Sequence, residues 1–177
     1  IQSLLEFLNI PFVGSPASVC HRSWNKDALH SSLIKYRQLV GEHDGVASWP
    51  PGVYIAADAF KSMGAATALD LIEQRIPGGY PVCVKPAHGG SALGIHRVES
   101  QDELGEAILD ALSYDDAVNI EQWVEGVELS VSILGTGASA YALPPVEIVP
   151  KRSFFDTEAR LDHELVDFHC PVRLESL

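Results

Sequence analysis

The sequence PVCVKPAHGGSALGI, residues 81–95, decides the fold of this chain. An apolar, β-branched run leads to Lys85 and ends at Pro86, a Gly-Gly-Ser turn follows, and a second apolar strand is expected from Leu93. Two strands joined by a glycine loop can fold over the phosphates of a nucleotide, because exposed backbone N–H groups bind anionic oxygens and a lysine adds positive charge. The residue order excludes a P-loop, in which the lysine follows the glycines and begins a helix. An ordinary hairpin with an exposed Lys85 fits this stretch equally well.

A second segment, residues 116–132 with the sequence DAVNIEQWVEGVELSVS, favours the nucleotide interpretation. It predicts a strand, a short connector and another strand. The run from Glu121 to Val124 combines an acid, an amide, an aromatic and an aliphatic side chain, which suits a purine that needs an acceptor for its amine and apolar walls. Glu128 follows the connector and could accept hydrogen bonds from ribose hydroxyls. The alternative is a two-sided strand with solvated acids, which is the commoner explanation for a lone glutamate.

Together the two segments resemble the ATP-grasp superfamily and, within it, the D-alanine–D-alanine ligase family. The resemblance extends over nearly the whole chain, with the matches in the family's order. The matched positions are the end of a first domain (residues 1–15), the first nucleotide lysine (Lys26, in Trp24-Asn25-Lys26), the second lysine (Lys85), the glycine–serine loop (Gly90 and Ser91), the adenine-binding strand (Glu121, Gln122, Trp123 and Val124), the ribose carboxylate (Glu128) and a lid at about residues 150–170.

The resemblance implies an α+β fold in which residues 16–177 form the ATP-grasp central domain, with a largely antiparallel sheet and flanking helices. It also implies that the two lysines neutralise phosphate charge, while Ser91 and Arg160 act as catalytic residues near the acceptor. Two positions depart from the family pattern. Ala92 replaces the second serine of the loop, and Leu161 replaces a tyrosine at the end of the lid motif. Both departures lie on the substrate side, so the identity of the acceptor stays open.

The activity implied by the resemblance is ATP-dependent ligation of two D-alanines through an acylphosphate, for peptidoglycan synthesis. ATP, D-alanine or a related D-amino acid, and Mg²⁺ are the expected ligands, and a homodimer is the expected assembly. We expect the magnesium ligands in a C-terminal segment beyond residue 177, and none in this sequence, which resembles the central piece of a longer enzyme. Two alternatives remain: a related ATP-grasp ligase with another acceptor, and a nucleotide-binding module without turnover.

Composition is consistent with a cytoplasmic domain that binds neither membranes nor nucleic acids. The chain has 177 residues, 46% of them hydrophobic, which is enough for one ordinary core. The net charge of −12 argues against a nucleic-acid partner, since phosphate backbones require clustered Lys and Arg. No apolar run approaches the length of a membrane span. The three cysteines are widely spaced and odd in number, as expected for reduced thiols in a cytosolic protein.

Periodicity and turn residues predict the remaining elements. Helices are expected over residues 3–9, 23–39, 65–74 and 100–112, the second with Ser23 as its cap and Gly41 as its end, and the last with a capping box of Ser100 and Glu103. Strands are expected over residues 10–13 and 53–56, and a single sheet is expected to contain the strands over 118–124, 128–134 and 141–149. Residues 135–140 are predicted to form a hairpin turn, residues 42–51 a loop, and residues from 151 onward a loop-like, charged region.

Overall fold

A computed structural model describes residues 1–41 and 47–173, and the chain divides after Trp123 into two units. A four-stranded antiparallel sheet forms the centre of the first unit. Its strands are β1 (Gly52–Ala56), β2 (Val82–Pro86), β3 (His96–Val98) and β4 (Ala117–Gln122), in the order β1-β4-β2-β3. The hairpin predicted around Lys85 is therefore present, although its second strand begins at His96 and not at Leu93.

Five helices accompany this sheet: α1 (Gln2–Phe7), α2 (Ala17–Trp24), α3 (Lys26–Val40), α4 (Ala57–Arg75) and α5 (Gln101–Tyr114). Helix α4 is kinked at Gly64, whose φ of 76° lies outside the helical region. None of the described helices has the length and apolar character that crossing a membrane would require.

The two faces of the sheet differ in chemistry because side chains alternate along each strand. One face packs on α4 and α5 and forms the main core, whose buried members are Ile55, Ile72, Ile76, Val82, Val84, Val98, Leu104, Ala107, Ile108, Ala111, Val118 and Ile120. The intervening positions of the strands belong to the opposite face, and they include Tyr54, Cys83, Lys85, Arg97, Asn119 and Glu121. We call this second surface the polar face.

The second unit contains two small sheets. Strands β5 (Glu128–Ser130), β8 (Val146–Pro150) and β9 (Val166–His169) form one, in the order β5-β8-β9, and β6 (Ile133–Leu134) pairs with β7 (Tyr141–Ala142) in the other. A short helix, α6 (Thr157–Leu161), packs through Phe155 and Ala159 against Val166. The predicted turn at residues 135–140 is confirmed as the connection between β6 and β7.

Several predicted elements are wrong. The strands after residue 117 belong to three sheets and not to one, because residues 128–134 split into β5 and β6, which pair with different partners. Residues 10–13 form no strand, and the predicted loop after residue 151 contains α6 and β9. Of the predicted loop over 42–51, residues 42–46 lie outside the described residues.

Two predicted helix starts also differ from the structure. The expected helix over 23–39 is two helices, since Asn25 leaves the helical region and caps α3 by accepting from Ala28 N at 2.8 Å. Gly41 does end α3. The capping box before α5 is absent: Ser100 makes no side-chain cap, and Glu103 accepts from Glu99 N instead, at 2.9 Å.

The centre of the sheet provides a test of the core. Replacement of Ile120, which is 0% exposed, by alanine is expected to lower the free energy of unfolding by about 2–5 kcal/mol, because the removed atoms leave a cavity. Leu109→Ala is the matched control, since Leu109 is 68% exposed and should change stability by about 0.5 kcal/mol or less. Urea unfolding with an unchanged m-value measures both, and equal midpoints would contradict the assignment of the core face.

Candidate functional site

An ion pair between neighbouring strands lies at the centre of the polar face. The register places Cys83 opposite Glu121 and Lys85 opposite Asn119, so all four side chains share one face. Lys85 Nζ donates to Glu121 Oε1, and Glu121 Oε2 accepts from Asn119 Nδ2 at 2.8 Å. The side chains of Lys85 and Glu121 are only 14% and 10% exposed. The predicted phosphate lysine and the predicted adenine carboxylate therefore contact each other directly.

Gly52 allows β1 to approach this ion pair closely. A Cβ atom at this position would lie 2.7 Å from the carbonyl oxygen of Ile120 and 2.9 Å from Glu121 Cβ, closer than such atoms approach in proteins. Gly52 is the register partner of Glu121 in the β1–β4 pair. Because glycine has no side chain, β1 can pair with β4 at this point without displacing Glu121.

Lys26 lies near the ion pair although it comes from α3. Its backbone N–H donates to Ala87 O at 3.0 Å and its Nζ donates to Gly89 O at 3.2 Å. Burial lowers the pKa of Lys26, the positive charge of Lys85 lowers it further, and the carboxylates of Asp115 and Glu121 act in the opposite direction. The structure thus brings the two predicted phosphate lysines close enough for their charges to interact.

The glycine–serine loop has an unusual backbone. Ser91 and Ala92 have φ angles of 57° and 59°, in the left-handed region that non-glycine residues rarely occupy. Such residues cost of order 1–3 kcal/mol each and are found mainly at ligand clamps and active sites. Gly94 is also confined, because a Cβ there would lie 2.7 Å from Tyr114 Cδ2 and 3.0 Å from Pro86 Cγ. The backbone of the loop is therefore tightly constrained at the end of β2.

The predicted adenine residues have different surroundings. The side-chain amide of Gln122 donates to the carbonyl oxygens of Gly79 and Pro81, at 3.2 and 3.1 Å, and so holds the turn before β2. Trp123 N also donates to Pro81 O at 3.1 Å, and the guanidinium carbon of Arg97 lies 5.2 Å from the centre of the Trp123 ring. The side chain of Gln122 therefore supports the fold at this point.

Cys83 lies on the polar face beside these residues. Burial raises the pKa of its thiol to about 11, with Lys85 and Lys26 acting in the opposite direction. The thiol is therefore protonated at neutral pH and is a poor nucleophile.

The remaining predicted site residues belong to the second unit. Val124 is 67% exposed, and Glu128 lies on β5 opposite Ile148. Partial burial raises the pKa of the Glu128 carboxyl, and the positive charge of Arg160 acts in the opposite direction. The guanidinium of Arg160 lies 4.2 Å from the centre of the Phe155 ring, and Leu161 beside it is 81% exposed.

Sequence reasoning missed four residues near the site: Asn119, His88, Asp115 and Asn25. Asn119 could have been found, because it precedes Glu121 by two positions and therefore shares its strand face. Both ring nitrogens of His88 have partners, Asp115 and Asn25. Asn25 is 63 residues from its partner in the sequence, so no local pattern indicates their contact.

One group of three potential metal ligands occurs within the described residues. His88, Asp115 and Asp116 each place one ligand atom within 4.8 Å of the others. His88 Nδ1 and Asp115 Oδ2 are hydrogen-bonded to each other at 2.9 Å, and Mg²⁺ prefers an octahedron of oxygen ligands. This group therefore does not fit a magnesium ion.

Comparison with known proteins gives a consistent result. Residues 55–176 match the model of a protein family described as D-ala D-ala ligase C-terminus. Curated relatives include the D-alanine--D-alanine ligase of Halorhodospira halophila, 35% identical over 177 residues, and that of Bordetella petrii, 31% identical over 174 residues. Each alignment covers 98% of this chain but only 49% and 48% of the relative. The chain thus spans about half the length of the curated relatives it matches.

A solved structure shows the same fold. The VanG D-Ala:D-Ser ligase from Enterococcus faecalis superposes with a TM-score of 0.76 at 26% sequence identity. The superposition covers 99% of this chain and 46% of that protein. It confirms the predicted α+β, ATP-grasp type of fold.

The ion pair on the polar face provides a test of the site without a ligand. Glu121→Gln keeps the shape but leaves Lys85 largely buried without a counter-ion, so stability is expected to fall by about 3–5 kcal/mol. The double variant Glu121→Gln/Lys85→Met removes the unpaired charge and should recover much of this loss. Denaturant unfolding of the parent, Glu121→Gln, Lys85→Met and the double variant measures the effect. A double variant that loses the sum of both single effects would show that the two side chains do not act as a pair.

Proposed function

Because this chain belongs to the D-alanine–D-alanine ligase family, we propose that it forms the nucleotide-binding part of an ATP-dependent ligase that joins a D-amino acid to an amine. The observation that supports this most directly is the convergence of Lys26 and Lys85 on the polar face of the sheet. Two neighbouring positive charges repel each other and favour an anion between them, and a triphosphate supplies such an anion. The overall charge of −12 makes this local positive charge necessary.

We assign the phosphates to Lys26 and Lys85, with the loop at Gly90 and Ser91 covering them through backbone N–H groups. Lys85 already pairs with Glu121, but an ammonium has three donor hydrogens and can bind a phosphate oxygen while keeping that partner. Glu121 is an acceptor of the right kind for the amine of adenine, and Trp123 is an apolar wall for the base. In this assignment the backbone of Gln122 and Val124 contacts the edge of the adenine ring, because the Gln122 side chain already donates to the carbonyl oxygens of Gly79 and Pro81.

Two residues of the second unit have proposed roles that rest on the family resemblance. Glu128 is the proposed acceptor for the ribose hydroxyls; burial raises the pKa of its carboxyl, and the positive charge of Arg160 acts in the opposite direction. Arg160 is proposed to act near the acceptor, where a guanidinium can bind a carboxylate in a bidentate way. The roles of both residues, and the position of Arg160 in the lid segment at about residues 150–170, come from the family resemblance.

The proposed reaction has two steps. A D-amino acid carboxylate attacks the γ-phosphorus of ATP, which releases ADP and forms an acylphosphate; the amine of a second D-amino acid then displaces inorganic phosphate and forms the amide. The protein contributes positioning and charge neutralisation by its lysines. The family generally requires Mg²⁺, but the described residues contain no fitting set of oxygen ligands, so we assign no step to a metal held by them.

A different acceptor is the second candidate. Among the solved structures that the chain resembles is VanG, a D-Ala:D-Ser ligase, and Ala92 and Leu161 depart from the family pattern on the substrate side. We propose D-alanine as the first substrate and leave D-alanine and D-serine as competing acceptors. ADP release by the full-length gene product with D-alanine, D-serine and D-lactate distinguishes them. A role in peptidoglycan synthesis, a cytoplasmic location and a homodimer are further proposals from the family.

ATP binding provides the direct test. Lys85→Ala should weaken ATP binding by roughly 1.5–3 kcal/mol, the value of a charge-assisted contact, and Lys26→Met should weaken it in the same direction. Lys61→Ala is the matched control, because Lys61 is 77% exposed and pairs with Asp58 in its own helix. Calorimetric titration of the folded variants measures all three. Equal ATP affinities for the parent, Lys26→Met and Lys85→Ala would refute the phosphate assignment.

A further inference from the structure

A chain of hydrogen bonds connects the end of α5 to the start of α3 and ends beside Lys26. Asp115 follows α5 and accepts from His88 N at 2.6 Å and from His88 Nδ1 at 2.9 Å. On the other side of the ring, His88 Nε2 lies 2.9 Å from Asn25 Nδ2. Asn25 and His88 also form an antiparallel backbone bridge. Backbone and side chains therefore join the same two segments.

The partners determine where the protons are. Asn25 Oδ1 accepts from Ala28 N at 2.8 Å and caps α3, which leaves Nδ2 facing the histidine. An amide nitrogen can only donate, so His88 Nε2 must accept. The ring proton is then on Nδ1, where it is donated to Asp115. The complete network therefore requires a neutral imidazole in the Nδ1–H form.

Asp115 is well suited to hold this form of the ring. Burial opposes its ionisation, but the hydrogen bonds from His88 N, from the ring and from Asp116 N at 2.8 Å, together with attraction to the positive charge that the ring carries when protonated, outweigh burial and lower the pKa of the carboxyl. The carboxylate is thus charged and acts only as an acceptor at neutral pH. His88 Nδ1 is consequently the donor in this pair.

The other end of the network reaches the proposed phosphate lysine. Asn25 directly precedes Lys26, whose N–H and Nζ donate to Ala87 O and Gly89 O, on either side of His88. A displacement of Asn25 from His88 would shift the start of α3 relative to this loop. The ammonium group of Lys26 would move with it.

We propose that His88 and Asp115 are positioning residues for nucleotide binding, which hold Lys26 through Asn25 and do so only while the His88 ring is neutral. The proposal rests on the proposed function, since its main readout is nucleotide affinity. Protonation of the ring would place Nε2–H against the Asn25 amide donor, and rotation of that amide would remove the cap from α3. The charged groups around the ring are Asp115 and Asp116 at the end of α5 and Lys26 at the start of α3.

Asn25→Asp is the decisive variant, because aspartate caps a helix as well as asparagine does. It replaces the donor that faces His88 Nε2 by an acceptor, so its network forms only with a protonated ring. We expect the ATP affinity of the parent to fall as the pH is lowered and the His88 ring takes up a proton, by more than ATP protonation explains. For Asn25→Asp this excess fall should disappear or reverse.

Variants of the ring and a matched histidine complete the experiment. His88→Ala should bind ATP about two- to tenfold more weakly at about pH 8, the effect of losing one hydrogen bond. His88→Gln offers a non-titrating acceptor and should restore part of the affinity with a flatter pH profile. The control is His96→Gln, since His96 also contacts an aspartate, Asp110, at 2.7 Å, but is more exposed. It should retain both the affinity and the pH profile of the parent.

Nitrogen NMR of the His88 ring gives a readout that needs no ligand. The Nδ1–H form with an unprotonated Nε2 is expected near neutral pH, and an Nε2–H form would overturn the proposal. If ATP binds and Lys85→Ala weakens it, but His88→Ala and Asn25→Asp match the parent at every pH, the positioning role is refuted and the proposed function stands. If neither the parent nor His96→Gln binds ATP, the proposed function fails, and with it the positioning role.

Discussion

The ion pair of Lys85 and Glu121 is the constraint on which the rest of the candidate site depends. Two charged side chains that are 14% and 10% exposed lose most of their hydration, so each is tolerable only while the other is present. Their strands β2 and β4 are hydrogen-bonded in a fixed register, and Asn119 binds the second oxygen of the glutamate. A shift of β2 or β4 by one residue would move one of the two charges into the apolar core and leave the other without its partner, so the hydrophobic pattern also specifies the pairing of the charges.

The two faces of the sheet have different roles: one forms the hydrophobic core, and the other carries the candidate site. The helix-covered face carries valine and isoleucine on every central strand and supplies the burial that drives folding. The polar face is therefore able to carry lysine, asparagine and glutamate, which contribute little net stability. Strand β1 serves both faces. It contributes Ile55 to the core, and it has glycine at position 52 because a side chain there would collide with the backbone of β4 beside Glu121.

The residues that sequence predicted and those that it missed differ in the range of their interactions. Lys85, Glu121 and the glycine loop after β2 could be predicted because alternation within a strand and glycine in a loop are local properties. The family resemblance added Lys26, which no local pattern connects with Lys85. Asn25, His88 and Asp115 were missed because their contacts cross 63 and 27 residues of sequence. The capping box at Ser100 failed for a different, local reason: the pattern was present, but Glu103 accepts from Glu99 N, four residues away.

Lys26 shows how such a site can be prepared for an anion. Burial and the charge of Lys85 lower its pKa, so the folded chain binds its proton less tightly than the unfolded chain does. Folding is therefore penalised while Lys26 is charged, and the penalty is relieved as pH rises from the lowered pKa toward the ordinary value of 10.5. A bound phosphate acts in the opposite direction, because its negative charge favours the ammonium form and raises the pKa again. Under the proposed phosphate assignment, part of the electrostatic penalty in the free chain would be relieved on binding, and contacts that hold Lys26 beside Lys85, such as those with residues 87–89, would contribute to affinity without touching the ligand.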